Sequence, residues 1–185
     1  MSSIEHLITV AELDKYPDDD GNRYELIEGE LFVSTAPGIP HQLVLHNLQV
    51  LLQTYLQKYP IGKLVPGAGT VFSDFDSVIP DLVFVRHDRW DKIVANNRFI
   101  AAPDLVIEIL SPVNENHRRD VIAKKRLYEK FGVREYWIVD PEKKSVVVLM
   151  LSEGMLRERT TCKADDPILS DALAQLQISV SALFV

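Results

Sequence analysis

Apolar residues recur along this chain with two distinct periods, and the alternation between them outlines its elements. From His41 to about Lys58, Leu45, Leu48, Leu51, Leu52, Tyr55 and Leu56 fall at helical spacing, which predicts a long amphipathic helix. A second helix is expected from His117 to Phe131, closed by Gly132 in the C-terminal cap position. Thr9-Val10-Ala11-Glu12 has the form of a capping box, so a short helix should start there and stop before Pro17. Asp18-Asp19-Asp20-Gly21-Asn22 is turn chemistry. Alternating segments at Arg23 to Ile27 and Glu30 to Ser34, joined at Glu28-Gly29, predict a hairpin, and 36–40 is a Pro/Gly loop.

Short strands are expected at Lys63 to Val65 and Gly69 to Phe72, then an apolar run from Asp81 to Val85. The polar stretch from His87 to Arg98 reads as an irregular loop with some helix. Asp104 to Leu110 must be a buried strand, because Pro103 and Pro112 bracket it too tightly for a helix. Three more strands follow at Glu135 to Val139, Ser145 to Leu151 and Leu156 to Thr161, with a turn at Asp140-Pro141. The tail from Ser179 to Phe184 suggests a last short helix capped by Ser179. The predicted fold is α+β: a single domain over 1–185, with a mixed sheet flanked by helices and an N-terminal helix and hairpin.

Bulk composition changes this picture little. Hydrophobic content of 46% and charged content of 25% are ordinary for a globular chain. No apolar stretch approaches the ~20 residues of a membrane span, so no membrane partner is expected. The start of the chain lacks the features of a signal peptide. A single cysteine, Cys162, gives no disulfide framework, and a reducing cytoplasm is the expected compartment. The net charge of −7 argues against holding nucleic acid by charge alone. Bound divalent ions would relax that objection.

Two acids break the hydrophobic pattern. Side chains alternate along a strand, so Glu108 shares a face with Val106 and Leu110 deep in an apolar run. A buried, unpaired carboxylate costs several kcal/mol, and something must compensate it. Asp81 heads the second run, directly after Pro80. Each has a plain alternative: Asp81 as a capping residue, Glu108 as a solvent-facing acid or the partner of a structural arginine. Together they point to two acids on neighbouring central strands, the minimal site for Mg²⁺ or Mn²⁺.

The helix after Glu108 is the one locally basic segment, with Arg118, Arg119, Lys124, Lys125, Arg126 and Lys130 against Asp120 and Glu129. Lys124 lies four residues before Tyr128 and seven before Phe131, on the face expected to meet the sheet. An Asp120–Lys124 surface pair is an equal alternative from spacing alone. Lys125 and Arg126 should look outward. The five histidines, His6, His41, His46, His87 and His117, show no His-Glu-x-x-His spacing, which argues against a zinc enzyme.

Pro80-Asp81 followed by Glu108 on the next buried strand resembles the PD-(D/E)XK nuclease pattern. A wider series is similar to the Uma-type family of proposed restriction endonucleases, in order and with similar gaps. It comprises Tyr24-Glu25-Leu26-Ile27-Glu28-Gly29-Glu30, His41-Gln42, the runs 80–85 and 102–112, Asp120 with Lys124 and Tyr128, and 132–141. The resemblance implies a restriction-endonuclease-like fold and a homodimer. It also implies a divalent metal, Mg²⁺ or Mn²⁺, on Asp81, Glu108 and a backbone carbonyl near Ile109.

The substrate it implies is nucleic acid, DNA ahead of RNA. Leu110 stands where the broader superfamily has its lysine, and Lys124 fits the known relocation of that lysine to the following helix. Glu25 matches a family acid that could bind metal or position water. His41 matches a recurrent position that could contact phosphate, and Arg118, Arg119, Lys125 and Arg126 could guide the nucleic-acid backbone. The competing expectation is an inactive binding module on the same fold, in which Glu108 and Lys124 form a structural ion pair.

Overall fold

A computed structural model describes residues 7–17, 20–111 and 115–185, with the side chains of 115–120 outside the description. The first half of the chain contains α1 (Val10–Leu13), β1 (Asn22–Ile27), β2 (Glu30–Thr35), α2 (Ile39–Lys58), β3 (Gly62–Pro66), β4 (Thr70–Ser73), β5 (Asp76–Val78) and β6 (Leu82–Arg86). It continues through α3 (His87–Ile93), β7 (Val94–Ala95), β8 (Arg98–Phe99) and β9 (Leu105–Ile109). The remainder is α4 (Glu115–Phe131), β10 (Glu135–Asp140), β11 (Ser145–Ser152), β12 (Met155–Lys163) and a 3-10 turn at Val180–Leu183.

The architecture is α+β, as expected, but the strands form two sheets rather than one. The central sheet runs β12-β11-β10-β9-β6-β3, and a second runs β2-β1-β5-β4-β8-β7. In the central sheet β9 and β10 are parallel neighbours connected through α4, and the other pairs are antiparallel. A parallel pair needs a long crossover, and α4 is that crossover.

Alternation along the central strands divides the core in two. Leu82 and Phe84 of β6, Leu105, Ile107 and Ile109 of β9, and Trp137 and Val139 of β10 face α2 and the C-terminal segment. Val83 and Val85, Val106, and Tyr136 face the opposite side, where Leu127 and Tyr128 of α4 and Ile27, Val78 and Phe99 of the second sheet close over them. Each fully buried large apolar side chain contributes roughly 1.5–3 kcal/mol. By parity Asp81 and Glu108 belong to this second side, between α4 and the second sheet.

Local chemistry accounts for the ends of the elements. The Thr9–Glu12 capping box forms, with the Glu12 carboxylate accepting the Thr9 N–H at 2.8 Å, although α1 ends at Leu13. The β1–β2 hairpin turns on Glu28 and Gly29, both at positive φ (54° and 78°), the form a two-residue hairpin turn requires. Helix α2 starts at Ile39, earlier than the spacing predicts, because Pro40 falls in its first turn, where a missing N–H costs nothing. At the C-terminus the expected capped helix is a 3-10 turn, and the Ser179 side chain makes no cap hydrogen bond.

Glu135 fastens the C-terminal segment to the sheet. This buried carboxylate accepts the Trp137 indole N–H at 2.7 Å and the backbone N–H groups of Asp171 and Ala172 at 3.0 and 2.9 Å. The Glu135→Ala variant leaves all three donors without their acceptor. It should lose about 2–4 kcal/mol of unfolding free energy, measured by urea denaturation.

Candidate functional site

The run Leu105–Ile109 is buried at every position, and β9 pairs antiparallel with β6 through Leu82↔Ile107. One step further along that register, Asp81 stands opposite Glu108 at the end of the ladder. The Ile109 N–H donates to Asp81 Oδ2 at 2.8 Å, which ties the two strand ends together. The same oxygen lies 3.0 Å from Nε2 of His41, a buried residue in the first turns of α2. Asp81 Oδ1 has a longer contact, 3.4 Å, with Nη1 of Arg23 on β1.

Glu108 is met from the other side by α4. The Tyr128 hydroxyl donates to Glu108 Oε1 at 2.7 Å, and the Lys124 ammonium is 3.2 Å from the same oxygen. Lys124 and Tyr128, four residues apart, occupy one helix face and both are buried. Lys124 Nζ also lies 3.0 Å from Oε2 of Glu25, on β1 of the second sheet. The other Glu25 oxygen accepts the Ile79 N–H at 2.6 Å. Glu25, Glu108 and Lys124 therefore form a buried chain of charge that links both sheets to α4, with Asp81 beside it.

The electrostatics follow from this crowding. Burial pushes the Glu108 carboxyl up to about 8; Lys124 pulls it down, while Asp81 and Glu25 push it further up, and the Tyr128 hydrogen bond pulls it down. One lysine does not offset that burial with two other carboxylates nearby. Burial also raises Asp81, but the hydrogen bond and charge of His41, the Ile109 amide and the charge of Lys124 outweigh it and hold Asp81 below the usual carboxylate range. Tyr128 is raised well above an ordinary phenol, first by burial and then by the charge of Glu108.

Of the residues singled out from sequence, Asp81, Glu108, Lys124, Glu25, His41 and the Ile109 backbone meet in one place. His41 is buried against Asp81 rather than displayed at the surface. Lys125 is elsewhere: it pairs with Glu129, whose carboxylate also accepts the Leu156 N–H at 2.8 Å. Arg126 is exposed. The side chains of Arg118, Arg119 and Asp120 lie outside the described residues. Two members of the cluster have no assigned role in the sequence reading. Tyr128 marked a helix face there and belonged to the family series, with no role of its own, and Arg23 entered only as the start of a strand. Both had a signal, since Tyr128 is one turn from Lys124 and Arg23 is two residues from Glu25 on the same strand face.

The donor set suits one kind of metal. Among the described residues no three of His, Cys, Asp and Glu are grouped as a metal cage. Two carboxylates suit Mg²⁺ or Mn²⁺, hard cations that one or two carboxylates hold while they keep several waters. The surplus of acid also fits, because a divalent charge beside Glu108 would favour the ionised carboxylate that burial opposes.

The chain matches the Uma2 family, described as "Putative restriction endonuclease", over residues 10–181. A crystal structure described as "a putative nuclease belonging to DUF820" from Anabaena variabilis is similar, with a TM-score of 0.78. It is 24% identical, over 96% of this chain and 97% of that one, and a likeness at this level speaks for a shared fold. No curated protein matches the chain. The family match takes in both central carboxylates, the hairpin that carries Glu25 and the helix that carries Lys124, and the protein belongs to the Uma2 family.

Proposed function

We propose that this protein is a metal-dependent endonuclease that hydrolyses nucleic-acid phosphodiester bonds at the Asp81–Glu108 pair. The observation that carries this reading is the buried Lys124 ammonium held between Glu25 and Glu108. It puts a fixed positive charge beside two strand-end carboxylates, although Leu110 cannot supply one. The residues fit Mg²⁺ or Mn²⁺ on Asp81, Glu108 and the Ile109 carbonyl, where the ion would supply Lewis acidity that lowers the pKa of a water and offsets phosphate charge.

The protein's own groups divide the remaining work. Lys124 orients the attacking water or neutralises charge developing on the phosphate. Glu25 and Glu108 hold that ammonium in place from two sides. His41 and the Ile109 amide hold Asp81 ionised, and Tyr128 fixes the orientation of Glu108. DNA is the expected polymer, a homodimer the expected assembly and the cytoplasm the expected compartment.

A second reading has one observation in its favour. The direct Lys124–Glu108 contact at 3.2 Å is also what a structural ion pair in an inactive nuclease-fold module would show. Mn²⁺ titration separates the two readings: the enzyme binds Mn²⁺ and Glu108→Ala weakens that binding, whereas the module binds none.

The Glu108→Ala variant should lose metal-dependent cleavage by at least ~10²–10³-fold while staying folded, read by a nicking assay beside a melting curve. Undiminished cutting by this variant would sink the assignment. Assays across single- and double-stranded DNA and RNA identify the polymer, and size-exclusion chromatography tests the dimer.

In the metal-free protein Glu108 should also make stability pH-dependent. Its folded carboxyl titrates at about 8 and its unfolded one near 4.5, so between these values the folded state holds the extra proton. This contribution is fully present below pH 4.5 and declines as the pH rises through 8. Urea midpoints in EDTA should therefore fall from pH 5 to pH 9 more steeply for the native protein than for Glu108→Gln.

A further inference from the structure

The site as described holds little positive charge that a polyanion could reach. Lys124 is buried and engaged by two carboxylates, and Lys125 is paired with Glu129 on another part of α4. Arg23 is different. It sits on β1 two residues before Glu25, so it points to the same side of that strand, and its side chain is 32% exposed where that of Asp81 is 5%.

Among the described residues its guanidinium makes one contact, from Nη1 to Asp81 Oδ1 at 3.4 Å. That is long for a charge-assisted bond, which ordinarily measures about 2.7–2.9 Å. A guanidinium carries five N–H donors in a planar fork, and this one commits a single prong. The loop after β3 passes close to the other prong. Gly67, at φ +57°, donates its N–H to the Asp81 carbonyl at 3.1 Å, and a Cβ added there would sit 3.9 Å from Arg23 Nη2. Glycine thus leaves the loop without a side chain at the point where a Cβ would come into van der Waals contact with the guanidinium.

We propose that Arg23 is a phosphate-binding residue of the site, its free fork taking the oxygens of a backbone phosphate beside Asp81. The assignment rests on the nuclease reading above. A planar fork suits a phosphate better than the single oxygen it now meets. The Asp81 contact holds the fork at the edge of the carboxylate cluster, where the backbone of a bound strand would pass.

The test uses Arg23→Met and Arg23→Lys, each also combined with Glu108→Gln so that binding is read without cutting. A labelled mixed-sequence DNA duplex and its single strand are the probes. Arg23→Met should weaken binding roughly tenfold or more at low salt. On the duplex it should also reduce the slope of log K against log salt by about 0.9, the value for one lost phosphate contact. Arg23→Lys keeps the charge and should retain the slope while losing part of the affinity. In the otherwise native protein, Arg23→Met should raise KM with kcat largely kept.

A structural clamp on Asp81 would behave otherwise. Arg23→Met would then lower the melting temperature and Mn²⁺ affinity but leave the salt slope unchanged, and that outcome overturns the proposal. Should Arg23→Met fail to fold, Arg23→Lys decides: binding equal to that of the native protein at every salt concentration refutes a role for the fork. If the native protein cuts no polymer and the Glu108→Gln protein binds none, the nuclease reading falls and this one with it. Normal cutting with an unaltered salt slope in Arg23→Met removes only the role of Arg23.

Discussion

The buried ammonium of Lys124 is the contact on which the rest of the site depends. It bridges Glu25 on the second sheet and Glu108 on the central one, and without it two carboxylates would be buried side by side. Removing one partner of such a buried pair costs about 3–5 kcal/mol. The fold makes the arrangement tolerable by adding further hydrogen-bond donors around it. Ile79 serves Glu25, Tyr128 serves Glu108, and Ile109 with His41 serves Asp81. What remains uncompensated is concentrated on Glu108, the carboxyl pushed furthest from its ordinary value.

Other buried carboxylates share the fold without the ambiguity. Asp76 accepts from the Glu28 N–H, the Ser73 hydroxyl and Lys130, and so fixes the hairpin turn to both β4 and α4. Asp104 accepts from the Arg86 N–H and from Arg89, and holds α3 against the sheet. Each has a full set of donors and a clear structural task. The Asp81–Glu108 pair differs in having two acids opposite one another with too few cations between them. That imbalance sets the pair apart from these structural carboxylates.

Much of this was legible in the sequence, for reasons that differ by element. Helices α2 and α4 announced themselves through long apolar periods, and β9 through the prolines that bracket it. Glu108 was visible because an acid in an all-buried run has no ordinary explanation, and Lys124 because spacing put it on the buried face. The second sheet was less visible. Its strands β7 and β8 have two residues each and β5 three, too short for a period to register, and they cohere through pairing with distant partners. Tyr128 looked like core because its ring is core, and only its hydroxyl reaches the site. His41 gave no hint of its burial, since nothing local says that the start of α2 lies over the start of β6.

The site's parts are also far apart along the chain. Arg23 and Asp81 are 58 positions apart, Glu25 and Ile79 54, and Glu108 and Tyr128 20, the last pair spanning the crossover helix. No hairpin or helix pair contains enough of the cluster to assemble it alone. Loop-closure entropy must be met several times before these groups come together. A chain still emerging during synthesis, or one trapped part-way to the native state, therefore has no assembled centre. The cluster is complete only with the last long-range docking, all at once.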